Sequence, residues 1–147
     1  MGQPPSAEIE IEASPETVRS ILLDFQRHNE WNQHWTLTAL DSSKQPANLK
    51  PGDKIKIVTK GMVLHPVVVE NSASSFGWRA SFGGIVSGTH MFHFTPSQRN
   101  PGGTTLTQKE DFGGLLSFLV GALFSPAKLQ IDFEANNKDL KAVAEKD

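Results

Sequence analysis

One carboxylate of this sequence stands where it could move a proton, Glu110. It falls in residues 104–112, a segment whose alternating pattern predicts a β-strand. If Phe112 faces inward there, so does Glu110, because successive side chains of a strand point to opposite faces. The same parity turns Gln108 and Leu106 inward. Glu110 would then lie in an apolar space, where loss of water favours a protonated carboxyl group and suits general acid or base chemistry.

Two alternatives to that role remain open. A bulge of one residue in the strand would exchange Glu110 for Asp111. Glu110 could instead be a structural carboxylate near the strand end that pairs with Arg79 or Lys56 or reaches solvent, since many perturbed ionisable groups only hold a fold together.

His90 is the histidine best placed to assist Glu110. In the segment 85–95 it shares a face with Phe92 and Phe94, which parity with the neighbouring strand places inside. His93 has the opposite parity, so both histidines cannot line one pocket in an unbroken strand. A neutral imidazole at residue 90 could donate to a ligand carbonyl or take a proton. The alternative is that His90 only satisfies a cross-strand hydrogen bond.

The sequence predicts no metal and no cofactor. It contains five histidines, but His28 and His34 are six residues apart, His90 and His93 point to opposite faces of one strand, and His65 is on another, without a carboxylate at ligand spacing. It contains no cysteine, so thiolate chemistry and disulfides are excluded. Phosphate loops, dinucleotide fingerprints and nucleophile elbows are also missing from it.

Composition indicates a soluble globular protein. The 147 residues are 37% hydrophobic and 20% charged, with a formal net charge of −2, and they suffice for one domain with a real core. The scattered lysines and arginines argue against nucleic acid as a partner. The longest apolar run, residues 115–124, is about half of the ~20 residues that a membrane-spanning helix needs, so no stable membrane insertion is expected. The absence of cysteine favours a reducing, cytoplasmic location.

The N-terminus carries one modification pattern. Gly2 followed by Ser6 satisfies the loose motif for N-myristoylation, and the alternative is a flexible tail over residues 1–6. No linker or repeat divides the rest, so residues 1–147 are expected to form a single domain.

The elements that position Glu110 and His90 follow from periodicity. Ser14 and Pro15 begin a predicted first helix after an alternating first strand, and a second short helix or turn precedes residue 36. Pro66 predicts an edge or a bulge in its strand. The seven predicted strands cover residues 8–12, 36–40, 54–59, 62–70, 76–82, 85–95 and 104–112. This order predicts an α+β domain whose antiparallel sheet wraps round a terminal helix and encloses a ligand space.

That terminal helix is predicted from the stretch 112–147. Apolar residues recur there at spacings of three and four and form one face. Before Pro126 the helix has a second apolar face, which must also pack against another part of the protein or a partner. Since proline does not fit a helix interior, two parts are expected: a movable lid before Pro126 and a packed anchor after it. The apolar first third could also form a homodimer contact.

The sequence resembles the polyketide cyclase/dehydrase and START-like (SRPBCC) superfamily. The resemblance rests on residues 13–18, 23–25 and 31–35, and on residues 88–94 followed by 103–116. It implies the helix-grip fold, a curved seven-stranded antiparallel sheet around a long C-terminal helix, with two short helices after the first strand and a hydrophobic cavity. The superfamily includes both carriers and cyclases, so function is left open.

Two functions are therefore expected, and an adaptor that uses the apolar face of the terminal helix on a protein partner is a third alternative. One is binding of a small hydrophobic molecule (a lipid, a polyketide or an aromatic or terpenoid metabolite) without covalent chemistry. The other is a cofactor-independent cyclase, dehydratase or isomerase in which Glu110 shuttles a proton, His90 assists and Arg79 or Lys56 polarises a carbonyl. The residues expected to line the ligand site are Trp31, Trp35, Ile57, Trp78, Arg79, Phe82, Phe92, Phe94, Gln108, Phe112, Leu115, Phe118, Leu119 and Ala122. Buried aromatic residues are core by default, so their role as a wall depends on a void.

Overall fold

A computed structural model describes residues 4–114 and 125–146 of the chain. The elements, in chain order, are β1 (Ser6–Ile11), α1 (Pro15–Leu23), a 3-10 helix (Phe25–Glu30), β2 (Thr36–Ala39), a short 3-10 turn (Pro46–Asn48), β3 (Ile55–Thr59), β4 (Met62–Leu64), β5 (Val67–Asn71), β6 (Ser75–Phe82), β7 (Val86–Pro96), β8 (Thr104–Gly113) and α2 (Pro126–Ala144).

The strands form two antiparallel sheets rather than the single seven-stranded sheet expected from the sequence. Within the described residues, β1-β8-β7-β6-β5 make one sheet and β2-β3-β4 make the other. The predicted strand 62–70 divides at His65 and Pro66 into β4 and β5, which brings the number of strands to eight. Proline has no N–H group to donate to a ladder, so pairing is interrupted there.

Backbone hydrogen bonds still join the two sheets at this division. The amide of Ile55 donates to the carbonyl of Pro66 over 3.0 Å, and the amide of Val68 donates to the carbonyl of Asp53 over 2.8 Å. The strands therefore follow one another round a curved surface, with β3 at the joint. Its inward-facing Ile55 and Ile57 are buried, while Lys56 between them points the other way.

The N-terminal strand and helix begin where their local signals predict. Ser14 caps α1 by accepting a hydrogen bond from the amide of Thr17 at 3.1 Å, and Pro15 occupies the first helical position. β1 already begins at Ser6, whose amide donates to Gln130 of α2 over 2.8 Å. The carbonyl of Pro5 accepts from the amide of Glu110. Residues 5 and 6 of the predicted tail are thus attached to the domain.

The C-terminal helix begins later than the stretch 112–147 suggests. β8 extends through Gly113, and α2 begins at Pro126, with the Ser125 hydroxyl accepting from the amide of Lys128 at 3.2 Å. Pro126 therefore opens the helix instead of kinking it, because the missing N–H costs nothing at the first position. The predicted lid and dimer contact fall on residues 115–124, outside the described residues.

The core lies between the concave side of the sheet, α1 and α2. The last half of α2 packs through Leu140 and Ala144 against β1 and α1. Leu106 and Phe94, directly opposite each other on β8 and β7, are buried in the same core cluster. No described helix combines the length and the apolar content that crossing a bilayer requires.

Candidate functional site

A cavity of about 190 Å³ opens between the sheet and the first turns of α2. The residues at its base lie in rows that run across the paired strands β6, β7 and β8. Trp78 on β6 is opposite His90 on β7, which is opposite Glu110 on β8. The next row contains Ala80, Gly88 and Phe112. The residues that line the cavity are Trp35, Ile57, Thr59, Lys60, Met62, Leu64, Trp78, Ala80, Phe82, Gly88, His90, Glu110, Phe112, Leu129 and Phe133.

His90 and Glu110 are in direct contact at the base of this cavity. The Nδ1 atom of His90 lies 3.0 Å from Oε1 of Glu110. The His90 side chain is 6% exposed and that of Glu110 is 16% exposed, so the carboxylate is the partner that reaches the cavity. The expected Asp111 alternative does not apply, because Asp111 is exposed and pairs across the strands with Thr89.

Aromatic rings hold the plane of the His90 imidazole. Trp78 stacks on it with ring centroids 4.9 Å apart and planes 7° apart. Phe133 of α2 meets it edge to face at 4.8 Å. A ring fixed on both sides cannot turn freely, so the direction of Nδ1 toward Glu110 is set by packing as well as by the hydrogen bond.

Gly88 provides the room that the Glu110 carboxylate occupies. A Cβ atom at residue 88 would lie 2.6 Å from Oε2 of Glu110 and 3.4 Å from the ring of Phe112. Any larger residue there would have to displace the carboxylate. The described residues donate no hydrogen bond to Oε2, which is therefore the polar atom that the pair presents to a ligand.

The rim of the cavity carries an ion pair. Lys60 and Gly61 form a two-residue turn between β3 and β4 in which both have positive φ, +48° and +78°. This turn places the ammonium group of Lys60 2.6 Å from Oδ2 of Asp132 on α2. The pair connects the β3–β4 hairpin to the helix across one side of the opening.

His28 forms part of the wall behind Trp35. Its ring is 5.4 Å from that of Trp35 and 5.1 Å from that of Trp31, and it is 1% exposed. The Nε2 atom donates to the carbonyl of Leu22, while Nδ1 has no partner. Burial lowers the pKa of His28, against smaller opposing effects of that hydrogen bond and of Asp24. Burial therefore favours the neutral form of the ring.

Several predicted site residues meet in the cavity. Both predicted catalytic residues do, together with Trp35, Ile57, Trp78, Phe82 and Phe112. Leu115, Phe118, Leu119 and Ala122 lie outside the described residues.

The other predicted ligand residues are placed elsewhere. Arg79 is exposed on the outer face of β6, because it alternates with Trp78 and Ala80, so it cannot polarise a ligand in the cavity. Lys56 is turned outward for the same reason. Trp31 borders a separate depression next to Val143.

Phe92, Phe94 and Gln108 have the expected inward parity but do not touch the cavity. They are 0%, 1% and 0% exposed and lie deeper along the strands, where α1 and the second half of α2 fill the space. Parity identified the face correctly, while the depth along the strand depends on where the helices cross it.

Some of the lining was missed by sequence reasoning. Leu129 and Phe133 belong to the apolar stripe of the terminal helix, and Ala80 has the parity of Trp78. Periodicity could therefore have identified these three residues as inward-facing. No sequence pattern indicated Lys60, because its position depends on a turn with positive φ. Among the described residues, no three histidine, aspartate or glutamate side chains gather as metal ligands would.

A wider depression of about 640 Å³ lies between α1, the 3-10 helix and residues 42–47. Both of its basic residues already have partners: Arg19 donates to the carbonyl of Ser72 and to Oδ1 of Asn71, and Lys44 is paired with Asp53. It lacks a buried ionisable pair, so we place the candidate site in the smaller cavity.

The described elements define a class of protein, an α+β domain in which an antiparallel sheet and a C-terminal helix enclose a mainly apolar cavity. Residues 6–145 match the model of the family described as polyketide cyclase / dehydrase and lipid transport. The chain belongs to that family. No curated protein sequence matches it as a relative.

Solved structures show the same fold at low sequence identity. A hypothetical protein from Helicobacter pylori is 15% identical with a TM-score of 0.73, and the alignment covers 95% of this chain and 86% of that one. A START superfamily protein from Mycobacterium smegmatis is 19% identical with a TM-score of 0.65, covering 99% of both chains. Norcoclaurine synthase from Thalictrum flavum, in complex with dopamine and hydroxybenzaldehyde, is 8% identical with a TM-score of 0.68, covering 98% of this chain and 87% of that one.

Proposed function

We propose that the protein binds a small hydrophobic molecule in the cavity between the sheet and α2, with a polar group of the ligand against Glu110. The observation that carries this proposal is the composition of the cavity. Its walls are aromatic and aliphatic side chains, and its base presents one carboxylate oxygen without a donor among the described residues. Apolar walls with a few convergent polar groups are typical of ligand sites.

The shape of the lining favours a ligand with a flat or ring-shaped apolar part. Trp35 and Trp78 meet edge to face with centroids 5.9 Å apart on one side, and Phe133 lies on the helix side. Such surfaces offer large apolar contact to a polyketide, an aromatic or terpenoid metabolite, or a lipid chain. A hydroxyl group of the ligand would donate a hydrogen bond to Oε2 of Glu110.

Binding is tested with 1-anilinonaphthalene-8-sulfonate as the probe. The measured signal is fluorescence energy transfer to the bound probe from Trp35 and Trp78. Ala80→Leu adds a side chain inside the cavity, whereas Ser81→Leu adds the same group to the exposed outer face of β6. We expect Ala80→Leu to weaken probe binding roughly tenfold or more and Ser81→Leu to leave it unchanged. Equal binding by both variants, with cooperative unfolding of each, would refute the cavity as the site.

A second candidate function is cofactor-independent acid–base catalysis on such a ligand, as a cyclase, dehydratase or isomerase. The specific observation in its favour is the contact between His90 and Glu110, a pair able to hold and release a proton at the base of a mainly apolar cavity. Arg79 and Lys56 do not line the cavity, so Lys60 is the cation among its described lining residues that could polarise a ligand carbonyl.

Glu110→Gln separates the two functions. Native mass spectrometry of the protein as expressed identifies a retained ligand, which is then used as the substrate. If the pair is catalytic, Glu110→Gln and His90→Ala each lower turnover about a hundredfold or more, while Glu110→Gln still retains the ligand. Full turnover by both variants contradicts the catalytic candidate, and retention without turnover by the wild type supports binding alone.

A further inference from the structure

Four side-chain amides lie behind His90 and form a buried chain of hydrogen bonds, here called the amide network: Gln108, Asn136, Asn137 and Asn32. Gln108 of β8 is 0% exposed, and Asn136 and Asn137 of α2 are each 1% exposed. Nε2 of Gln108 donates to Oδ1 of Asn137 over 2.9 Å and to Oδ1 of Asn136 over 3.3 Å. Oε1 of Gln108 lies 2.9 Å from Nε2 of His90.

A backbone carbonyl fixes the direction of this network at one end. Asn137 lies 3.1 Å from the carbonyl oxygen of Ala7 on β1. That oxygen can only accept, so the NH₂ group of Asn137 must face it. Oδ1 of Asn137 therefore faces Gln108, which must present its own NH₂ group in return.

Backbone amides fix the same direction at the other end. Oδ1 of Asn32 accepts from the amides of His34 and Trp35 over 2.9 and 3.3 Å. It also accepts from Nδ2 of Asn136 over 3.2 Å, which turns Oδ1 of Asn136 toward Gln108. Two independent anchors thus require the NH₂ group of Gln108 to face α2 and its carbonyl oxygen to face His90.

The orientation of Gln108 determines which nitrogen of His90 carries a proton. Since Oε1 of Gln108 can only accept, Nε2 of His90 must donate. Nδ1 and Oε1 of Glu110 then have one proton between them, either as imidazolium and carboxylate or as neutral imidazole and carboxylic acid. The pair has no net charge in either form. The cation on the cavity lining, Lys60, is paired with Asp132.

We infer that Gln108 is a positioning residue: held by Asn136 and Asn137, it fixes the Nε2–H form of His90, so that His90 and Glu110 share a single proton on the cavity side. This inference assigns a defined protonation state to the pair. The transfer of a proton between the pair and a ligand rests on the proposed function. When a ligand O–H bond breaks, the proton forms a bond to Oε2 of Glu110. The proton on Oε1 moves to Nδ1, and the ligand keeps the electron pair. The imidazolium so formed already has an acceptor at Nε2.

The tautomer is measured on the ligand-free protein by long-range proton–nitrogen NMR correlation of the imidazole rings. His28 is an internal reference, because its Nε2 faces the carbonyl of Leu22 and must also be protonated. We expect His90 to show a protonated Nε2 throughout the pH range in which the protein is folded. In Glu110→Gln, whose amide group can donate to Nδ1, neutral His90 should keep the same tautomer. Neutral His90 protonated at Nδ1 in either protein overturns the inference.

Gln108→Leu tests the positioning role. With leucine at residue 108, no side-chain oxygen there accepts from Nε2, so neutral His90 is free to protonate Nδ1 and donate to Glu110. We expect the NMR signals of Gln108→Leu to show neutral His90 protonated at Nδ1. Thr107→Val, on the opposite face of the same strand, is the control and should keep the Nε2–H form. A neutral His90 that remains protonated at Nε2 in Gln108→Leu contradicts the role.

These outcomes are independent of ligand binding. If Gln108→Leu does not fold, the tautomer in Glu110→Gln still decides the inference. Failure to bind the naphthalene probe leaves the NMR result standing, and the wrong tautomer leaves probe binding untouched, so the proposed function and this inference fail separately.

Discussion

The space above Gly88 is the feature whose alteration most directly tests the geometry of the pair. A Cβ atom at residue 88 would lie 2.6 Å from Oε2 of Glu110, where ordinary contacts begin at 3.4 Å. Gly88→Ala must therefore push Oε2 away by roughly 0.8 Å. Because both oxygens belong to one rigid carboxylate, the 3.0 Å contact of Oε1 with His90 is disturbed as well. The obstacle is the end of a side chain, so the backbone can remain in place.

The expected cost follows from two opposing effects. Weakening a hydrogen bond between charged groups costs about 1.5–3 kcal/mol. Replacing glycine by alanine where φ is not positive returns about 0.4–1 kcal/mol through the unfolded chain. The free energy of unfolding should therefore fall by about 1–2 kcal/mol, a loss that leaves the protein folded.

Gly103→Ala is the control, at a glycine just before β8, at the end of that strand remote from Glu110. Its Cβ would lie 2.8 Å from the backbone oxygen of Ile11 and 3.1 Å from that of Asn100. Backbone cannot move as a side chain does, so this change should destabilise the protein by more, roughly 2–3 kcal/mol. It should leave the contact between His90 and Glu110 intact.

Urea unfolding gives the free energies, and the imidazole NMR signals of His90 report the contact. Gly88→Ala should move the His90 signals with a small loss of stability. Gly103→Ala should leave the His90 signals in place with a larger loss of stability. If the His90 signals of Gly88→Ala coincide with those of the wild type, the carboxylate does not occupy the space above Gly88 and the description of the site is wrong.

Three further changes test the structure around the site. Because burial lowers the pKa of His28 below its usual 6.5, the unfolded chain binds the proton more tightly, and the free energy of unfolding should fall as the pH drops from about 6.5. His28→Leu should flatten that slope in urea titrations between about pH 7 and 5, and an unchanged slope would assign it to other groups. Asn137→Leu removes a side-chain donor from the Ala7 carbonyl and the shorter of the two bonds that the Gln108 amide donates, and should cost about 1–3 kcal/mol in urea unfolding. The exposed Lys138→Leu should cost almost nothing, and equal losses would contradict the amide network. Ser125→Ala removes the cap of α2 and should cost about 1 kcal/mol by thermal unfolding, whereas Ser125→Asp, which can still cap, should not; a similar loss in both would show that the cap is not what matters.

The faces of the strands could be predicted because a period of two leaves little freedom where one face is buried. Trp78 with Ala80 and Glu110 with Phe112 lie on the same concave side, as alternation requires. The same alternation places Arg79, which stands between two inward residues, on the outer face.

The position of the cavity along the strands could not be predicted from parity. Leu140 of α2 packs where Leu106 and Phe94 are buried, and the cavity appears only toward the start of the helix, near Leu129 and Phe133. Which strand positions face filled core and which face space depends on the path of α2. That path depends on the start of the helix at Pro126, which the apolar periodicity did not reveal.

The family resemblance and the fold agree because both depend on the order of the elements. The C-terminal helix and the antiparallel arrangement were predictable from that order. The division of the strands into two sheets was not, although Pro66 gave its physical reason. A single missing N–H group changes the hydrogen-bond ladder without changing the hydrophobic pattern on either side of it.

The amide network bears on the choice between binding and catalysis. Buried amides contribute little net stability, and apolar side chains of similar shape are often as good in a core. Asn136 stands on the otherwise apolar face of α2, between Phe133 and Leu140. Stability alone therefore does not explain why it and Gln108 are polar. A carrier of an apolar ligand needs a filled core at this point and no defined tautomer behind it. A protonated Nε2 on His90 is useful where a proton must be directed to Glu110, so confirmation of that tautomer would favour the acid–base candidate over binding alone.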